Sequence, residues 1–420
     1  MENPLNNSNL FPKRLKLRFI DRLDTVDAGA WDALGGADEP LLSHAFLSGL
    51  ERYGCLGARY GWFPQHLLME DEQDALLAAM PLYAKTNNYG EFVFDGAWEA
   101  AWADMGLRYY PKLVVSVPYT PATGPRLLLR PGLDATTIKP ILIRQGIAAA
   151  EEQGLSGLHW LFPDDNDRAA LEAEGLAMRM GCQYHWYNDG YRDFDDFLGQ
   201  MSAKKRKNLR QERRRVRDQG IALRILHGDE VDDALWAIFH GFYQDTFEKH
   251  LGIPTLSLEF FRETGKQLGR QVVLVLAERE GVPVAAALFY RGRDTLYGRY
   301  WGCAANYDAL HFEACYYQGI EYCIREGLAR FEPGAQGEHK IPRGFLPTPT
   351  WSAHWVQHPP LQDAVADFCR REAALMHAHC ADLVARAPFR EDGFPAAWSS
   401  PTETGTPPCP DKAEGEGEGD

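Results

Sequence analysis

The chain contains no cysteine pair of the C-x-x-C kind. Its eight cysteines, Cys55, Cys182, Cys303, Cys315, Cys323, Cys369, Cys380 and Cys409, are scattered, so no zinc-type spacing is present and a reduced compartment is the natural setting. No run approaches the roughly 18 apolar residues that a membrane span needs. The opening "MENPLNNSNLFPKRLKLRFIDRL" also lacks the apolar stretch of a signal peptide. A cytoplasmic protein with no membrane span is expected. Positive charge is scarce too: 44 Lys and Arg stand against 59 Asp and Glu, for a net charge of −15. That balance argues against non-specific nucleic-acid binding by the chain as a whole, so any anionic partner must be met locally.

One place departs from that balance. In "MSAKKRKNLRQERRRVRDQG", nine of the fourteen residues from Lys204 to Arg217 are basic and only Glu212 is acidic. The preceding "YRDFDDFLGQM" spaces Phe194, Phe197, Leu198 and Met201 for a short helix. Ser202 can then cap a second helix and Gly220 can end it. On that second helix only Leu209 and Val216 form an apolar line. A solvated helix spanning two domains, a surface for tRNA or another phosphate, and a membrane-surface patch are the three readings of the block.

At 420 residues, 45% of them hydrophobic, the chain suits two domains, and it repeats itself once. "RQGIAAAEEQGL" (144–155) matches "YQGIEYCIREGL" (317–328), each a helix that glycine ends. "LHWLFP", ending at Pro163, corresponds to "ARFEP", ending at Pro333. "GLAMRMGCQYHW" (175–186) corresponds to "GFLPTPTWSAHW" (344–355). Upstream, "QHLLMEDEQDALLAAMPLYAK" and "QVVLVLAEREGVPVAAALFYR" each read as strand, acidic turn and strand. The expected layout is a first domain over 12–190 with an insertion over 85–112, a basic helical connector over 191–220 and a second domain over 221–385. The segment 386–420, rich in Pro, Gly and Glu towards its end, is expected to be disordered.

A unit of hairpin, strand, helix and strand used twice resembles two tandem Gcn5-related N-acetyltransferase (GNAT) folds. A basic segment between two such halves looks like the Fem family, which transfers amino acids from aminoacyl-tRNA to peptidoglycan precursors. "SHAFLSGLE", "PLYAK", "YGEFVFD", "YYPKLVVSVPYTPATGPRLL", "LHFEACYYQGIEYCI" and "RFEPGAQGEHKIPRGFLPT" resemble the FemAB-like predicted N-acyltransferases, often labelled peptidoglycan biosynthesis/recognition. The resemblance runs over roughly 41–385. It implies an α/β chain of two tandem GNAT-like domains and transfer of an acyl or aminoacyl group from an activated donor to a small-molecule or peptide amine. The donor would be acyl-CoA, an acyl carrier protein or aminoacyl-tRNA, with no tightly bound cofactor. A binding module that kept the fold without catalysis, recognising a peptide or cell-wall fragment, is the alternative. The pyrophosphate loop of a plain GNAT enzyme has only a weak match, "PATGPR".

The candidate chemistry lies in five places. "GAQGEHKIPRG" (334–344) should leave a sheet edge as a loop. Glu338 or His339 suits the base that takes a proton from the attacking amine, and Gln336, Lys340 and Arg343 suit the substrate. Glu91 and Asp95 in the insertion suit an amine acceptor, while His44, after a capping Ser43, is placed for the cleft. Thr120, Thr123, Gly124 and Arg126 suit a donor phosphate, as do Lys204, Arg213 and Arg214 of the basic block. His311 with Glu313, and His377, His379 and Cys380, group on paper without metal-type spacing. Cys303 and Cys315 sit in apolar surroundings that suit inert thiols.

Overall fold

In a computed structural model the described residues are 14–335 and 337–401. The first half contributes strands Lys16–Ile20, His66–Glu70, Leu76–Met80, Leu82–Lys85, Lys112–Val115 and Gly157–Leu161. The second contributes Ile221–His227, Val272–Arg279, Val282–Arg291, Thr295–Cys303 and Arg330–Glu332. Each half runs as an antiparallel meander whose last member lies parallel to the strand after a crossover helix. Leu113 pairs with Leu158 in the first half, and Leu296 with Phe331 in the second. In the first half the meander divides at Pro81. Proline has no N–H to give the ladder, and there the chain passes from a four-stranded sheet into one of eleven strands.

The final strand of each half crosses to the other. Ala177–Tyr187 pairs with Arg330–Glu332 of the second half, and Leu346–Val356 pairs with Gly157–Leu161 of the first. The two exchanged strands also pair antiparallel with each other, from Leu346 opposite His185 to His354 opposite Ala177. The halves therefore share one sheet, and the boundaries at 190 and 385 do not separate two closed sheets.

The repeat is exact in the packing of one helix. Gly146 and Gly319 each lie eight residues before the positive-φ glycine, Gly154 or Gly327, that follows helices Ala135–Glu152 and Gln318–Glu326. A Cβ on Gly146 would meet Leu158 at 3.0 Å, and one on Gly319 would meet the Phe331 ring at 2.5 Å. Leu158 and Phe331 are themselves equivalent, since they face Trp355 and Trp186. This register puts Pro333 level with Trp160, three residues before the Pro163 that the sequence match selects. The two tandem α/β halves of similar build expected from the sequence are observed.

Three further expectations are corrected. The basic helix, Ala203–Asp218, is not a bridge between the halves. Leu209 enters the second half's core beside Tyr317 and Ile320, and Val216 packs with Ile221 and Val284. Ser202 stands at its start, but its side chain accepts no cap hydrogen bond. Of the tail expected to be disordered, 386–401 is ordered, with Phe389 packed on Phe197 and the Trp398 indole donating to the Pro347 carbonyl at 3.1 Å, while 402–420 lies outside the described residues. Among the described residues no helix is long and apolar enough to cross a membrane.

Two glycine substitutions test the packing. Gly319→Ala should cost about 1–3 kcal/mol by overpacking against Phe331, read as a lower denaturant midpoint. Gly241, also inside a helix, has nothing within 4 Å of its missing Cβ, so Gly241→Ala should stabilise by up to about 1 kcal/mol. Equal effects from both would mean that the contact with Phe331 is not tight.

Candidate functional site

In the second half, parallel pairing stops at Tyr297 and Glu332, while the strand Thr295–Cys303 runs on for six more residues. After Glu332 the chain leaves the ladder, which makes a gap in the pairing on this side of the strand, although Pro333 still lies against Gly298. Trp301 stands on the continuing strand. Its ring lies 5.4 Å from that of His311, which lies 6.2 Å from His339 on the diverging loop. His339 Nε2 is 2.8 Å from the Tyr316 hydroxyl. Gly337 has φ +111°, and a Cβ there would fall 2.3 Å from the His339 ring, so only glycine lets the imidazole fold back on the loop. Two histidines and a tyrosine thus pack together beside the gap in pairing.

Burial, more than charge, sets the protonation states. Burial, then Lys340 and Arg343, lower His339 below the usual histidine range, and burial takes His311 to about 4. Both are neutral at pH 7, as a proton acceptor must be. Burial lowers Lys340 to about 7, and its Nζ donates to the Gly334 carbonyl at 2.6 Å, which ties the loop back on itself. Arg343 lies 3.4 Å over the Phe312 ring, donates to the His339 carbonyl at 2.6 Å and pairs with Glu212 at 2.7 Å. Glu212 also accepts from Tyr317. The one acid of the basic block is therefore what fastens the helix to the loop.

Glu338 is not in the gap. It is exposed, as His339 also is, and it pairs with Arg386 at 2.8 Å, whereas His339 meets Tyr316. Gln336 lies outside the described residues. Arg126 does not face a phosphate either. It is buried, and its guanidinium donates to the carbonyls of Leu161, Pro125 and Ala122. Gly124 rejoins the sheet through Phe162 and Asp164, and Thr120 bonds the Pro118 carbonyl. The backbone N–H of Thr123 goes to Glu332 at 3.1 Å. In the first half this return of the chain at Gly124 closes the gap that stays open in the second. His44 bonds the Leu23 carbonyl at 3.0 Å from the helix that Ser43 caps.

Of the three cations of the basic block assigned to a donor phosphate, Arg213 is spent on Glu313 and Glu321, at 2.9 and 2.7 Å. Lys204 and Arg214 are exposed. An open groove of about 1080 Å³ runs along this helix, with Arg206, Lys207, Arg210, Arg214 and Arg217 on its walls.

Glu91 and Asp95 do meet, but in the interior. Lys112 lies between them, 2.8 Å from Glu91 and bonded to Asp95. Tyr109 donates to Asp95 at 2.5 Å. Burial would raise Asp95, but the Lys112 ammonium and these hydrogen bonds outweigh it and hold the carboxyl below its ordinary range; Glu91 stays raised by burial. Sequence reading missed Lys112, whose signal was a lone lysine opening the apolar run "KLVV". It also missed His159, Tyr316, Glu332 and Ser352, which carry no local signal because their partners are distant in the chain.

The chain belongs to the FemAB-like family, described as peptidoglycan biosynthesis/recognition, which matches residues 22–391. No curated protein matches it. Solved structures of similar shape include FemX, at 10% identity over 81% of this chain and 98% of that one, with a TM-score of 0.49. Another is the C-terminal DUF2156 domain of a putative lysylphosphatidylglycerol synthetase from Agrobacterium fabrum, at 12% over 81% and 96%, with a TM-score of 0.47. A tandem GNAT protein from the clavulanic acid biosynthesis pathway aligns at 13% over 82% and 98%, with a TM-score of 0.43.

Two predictions concern the buried charges. Lys112→Met leaves two buried carboxylates without a counter-charge and should cost about 3–5 kcal/mol at pH 8. In that variant the carboxyls fold protonated, with folded pKa values above their unfolded ones. The stability of the protonated form is present below the unfolded pKa and lost as pH rises, so the deficit should shrink at pH 5. In the parent protein, burial holds His159, His185 and His354 well below the usual range. The unfolded chain binds protons that the folded one refuses, so the melting temperature should fall as pH drops below about 6.5. A flat melting profile between pH 7 and 5 would contradict these neutral histidines.

Proposed function

We propose that the protein is an N-acyltransferase that moves an acyl or aminoacyl group to an amine acceptor at the gap between Thr295–Cys303 and the loop 333–344. The observation that carries this reading is the neutral His339, held by Tyr316 where parallel pairing ends. The amine loses its proton to the imidazole, attacks the carbonyl carbon of the donor, and the Tyr316–His339 pair returns a proton to the leaving group. Lys340 and Arg343 act as positioning residues by fixing the loop. The family assignment supports the same reaction class.

The donor's phosphates are met on the exposed cations beside the groove, Lys204, Lys207, Arg214 and Arg217, and not at Thr120–Arg126. That placement fits acyl-CoA, acyl carrier protein or aminoacyl-tRNA alike, with no tightly bound cofactor. The exposed position of Glu338 favours the second reading, a non-catalytic module that binds a peptide or cell-wall fragment.

Native mass spectrometry of freshly purified protein, looking for retained CoA, acyl carrier protein or tRNA, selects the donor. With that donor and a panel of amines, His339→Ala should lower turnover by about 10²-fold or more, while Glu338→Gln leaves it within about threefold, as expected of an exposed side chain outside the gap. If the donor is tRNA, replacing Lys207, Arg214 and Arg217 with Gln should reduce the salt slope by about two or more. Absence of transfer from every donor class, with peptide binding intact, would give the second reading.

A further inference from the structure

A second cavity, of about 250 Å³, lies between the insertion, the C-terminal helix and the centre of the exchanged strands. Its walls are mostly apolar, with Phe92, Phe94, Phe162, Trp351 and Met376 beside the Arg179–Glu372 ion pair. Its floor is the ladder itself. There Gly181 leaves room, since a Cβ would approach the Thr350 hydroxyl at 3.0 Å, and Ser352 lines the same floor while buried to 3% exposure.

Behind Ser352 runs a chain of hydrogen-bonding groups with no role in the loop chemistry. The Ser352 hydroxyl is 2.8 Å from His354 Nε2, and His354 Nδ1 is 2.8 Å from His159 Nδ1. His159 Nε2 lies 3.5 Å from the Tyr109 hydroxyl, which donates to Asp95 at 2.5 Å. Asp95 is ionised beside Lys112, so it can only accept. The assignment that leaves no group in the chain without a partner then follows. Tyr109 donates to Asp95, His159 Nε2 donates to Tyr109, His354 Nδ1 donates to His159, and Ser352 donates to His354. The reverse assignment would strand His159 Nε2 against a hydroxyl whose proton is already committed. Every proton thus points from the cavity towards a fixed negative charge. This is the arrangement that activates a hydroxyl, with a neutral base at the oxygen and groups behind it that orient the ring.

We propose that Ser352 is the nucleophile of a second acyl site, taking an ester or thioester whose acyl group is apolar. The Ser352 Oγ forms a bond to the carbonyl carbon, and its proton passes to His354 Nε2. The bond from that carbon to the alkoxide or thiolate leaving group breaks, and His354 returns the proton to it. The products are an acyl ester on Ser352 and a free alcohol or thiol. Water or an amine then attacks the ester carbonyl, its proton passes through His354, and Oγ regains a hydrogen. No oxidant or reductant enters. His354 is the base; His159 and Tyr109 are positioning residues that fix its tautomer and stabilise the imidazolium. The site differs from the His339 gap in its residues and stands whether or not that gap transfers acyl groups.

The test exposes the full-length protein to an alkyl fluorophosphonate and locates the adduct by peptide mass spectrometry. One adduct per chain is expected on Ser352, with loss of fluoride, and excess p-nitrophenyl butyrate should slow its formation. His354→Asn should slow labelling by about 10²-fold or more, and Tyr109→Phe by a smaller factor with a shifted pH profile. Folded parent protein without an adduct on Ser352 would overturn the proposal, whatever the variants do. So would a His354→Asn protein of native circular dichroism that labels at the parental rate.

Discussion

The ladder between Ala177–Tyr187 and Leu346–Val356 is the contact on which the rest depends. Through it the final strand of each half completes the sheet of the other. Both strands lie in the middle of the eleven-stranded sheet, so removing either half would leave an unpaired edge. The ladder also forms the floor of one cavity, and the segment just before Leu346 is the loop that carries His339.

Because the ladder relates two similar halves, each half places comparable polar residues beside it. Gln183 and His185 on one strand stand where Ser352 and His354 stand on the other, and His159 is level with Glu332. The outcome differs. His354 contacts His159 at 2.8 Å, whereas His185 and Glu332 remain 3.9 Å apart. Burial raises Glu332, while Tyr297 donates to Glu39, whose carboxyl burial lifts to about 7. One scaffold thus supports an ordered chain of hydrogen bonds on one side and a pair of carboxyls raised by burial on the other.

Much of this was legible in the residues. The paired Gln-Gly-Ile helices and His-Trp strands revealed the repeat, since glycine at a helix–strand contact and tryptophan on a strand constrain their neighbours locally. The apolar pairs Phe194/Phe197 and Leu209/Val216 located two helices. The sites were less legible. Glu338 and His339 are adjacent in sequence, and composition cannot tell which faces Arg386 and which faces Tyr316. Arg126 reads as a phosphate ligand beside glycine and threonine, but only the fold reveals that three carbonyls already occupy it. Lys112, Glu91 and Asp95 meet because the insertion folds under the C-terminal helix, where Trp98 packs on Phe368. The exchange of final strands left no trace at all, since the same alternation would serve a strand kept at home.

That exchange also bears on how the chain is born. The strand Gly157–Leu161 emerges roughly 190 residues before the partner that covers its open edge, a sequence separation that makes for slow closure. Until Leu346–Val356 leaves the ribosome, the first half must carry an unpaired apolar edge, the kind of surface that invites pairing with another nascent chain. A chaperone or a slow ribosome would therefore matter more to this protein than to two domains that each close their own sheet.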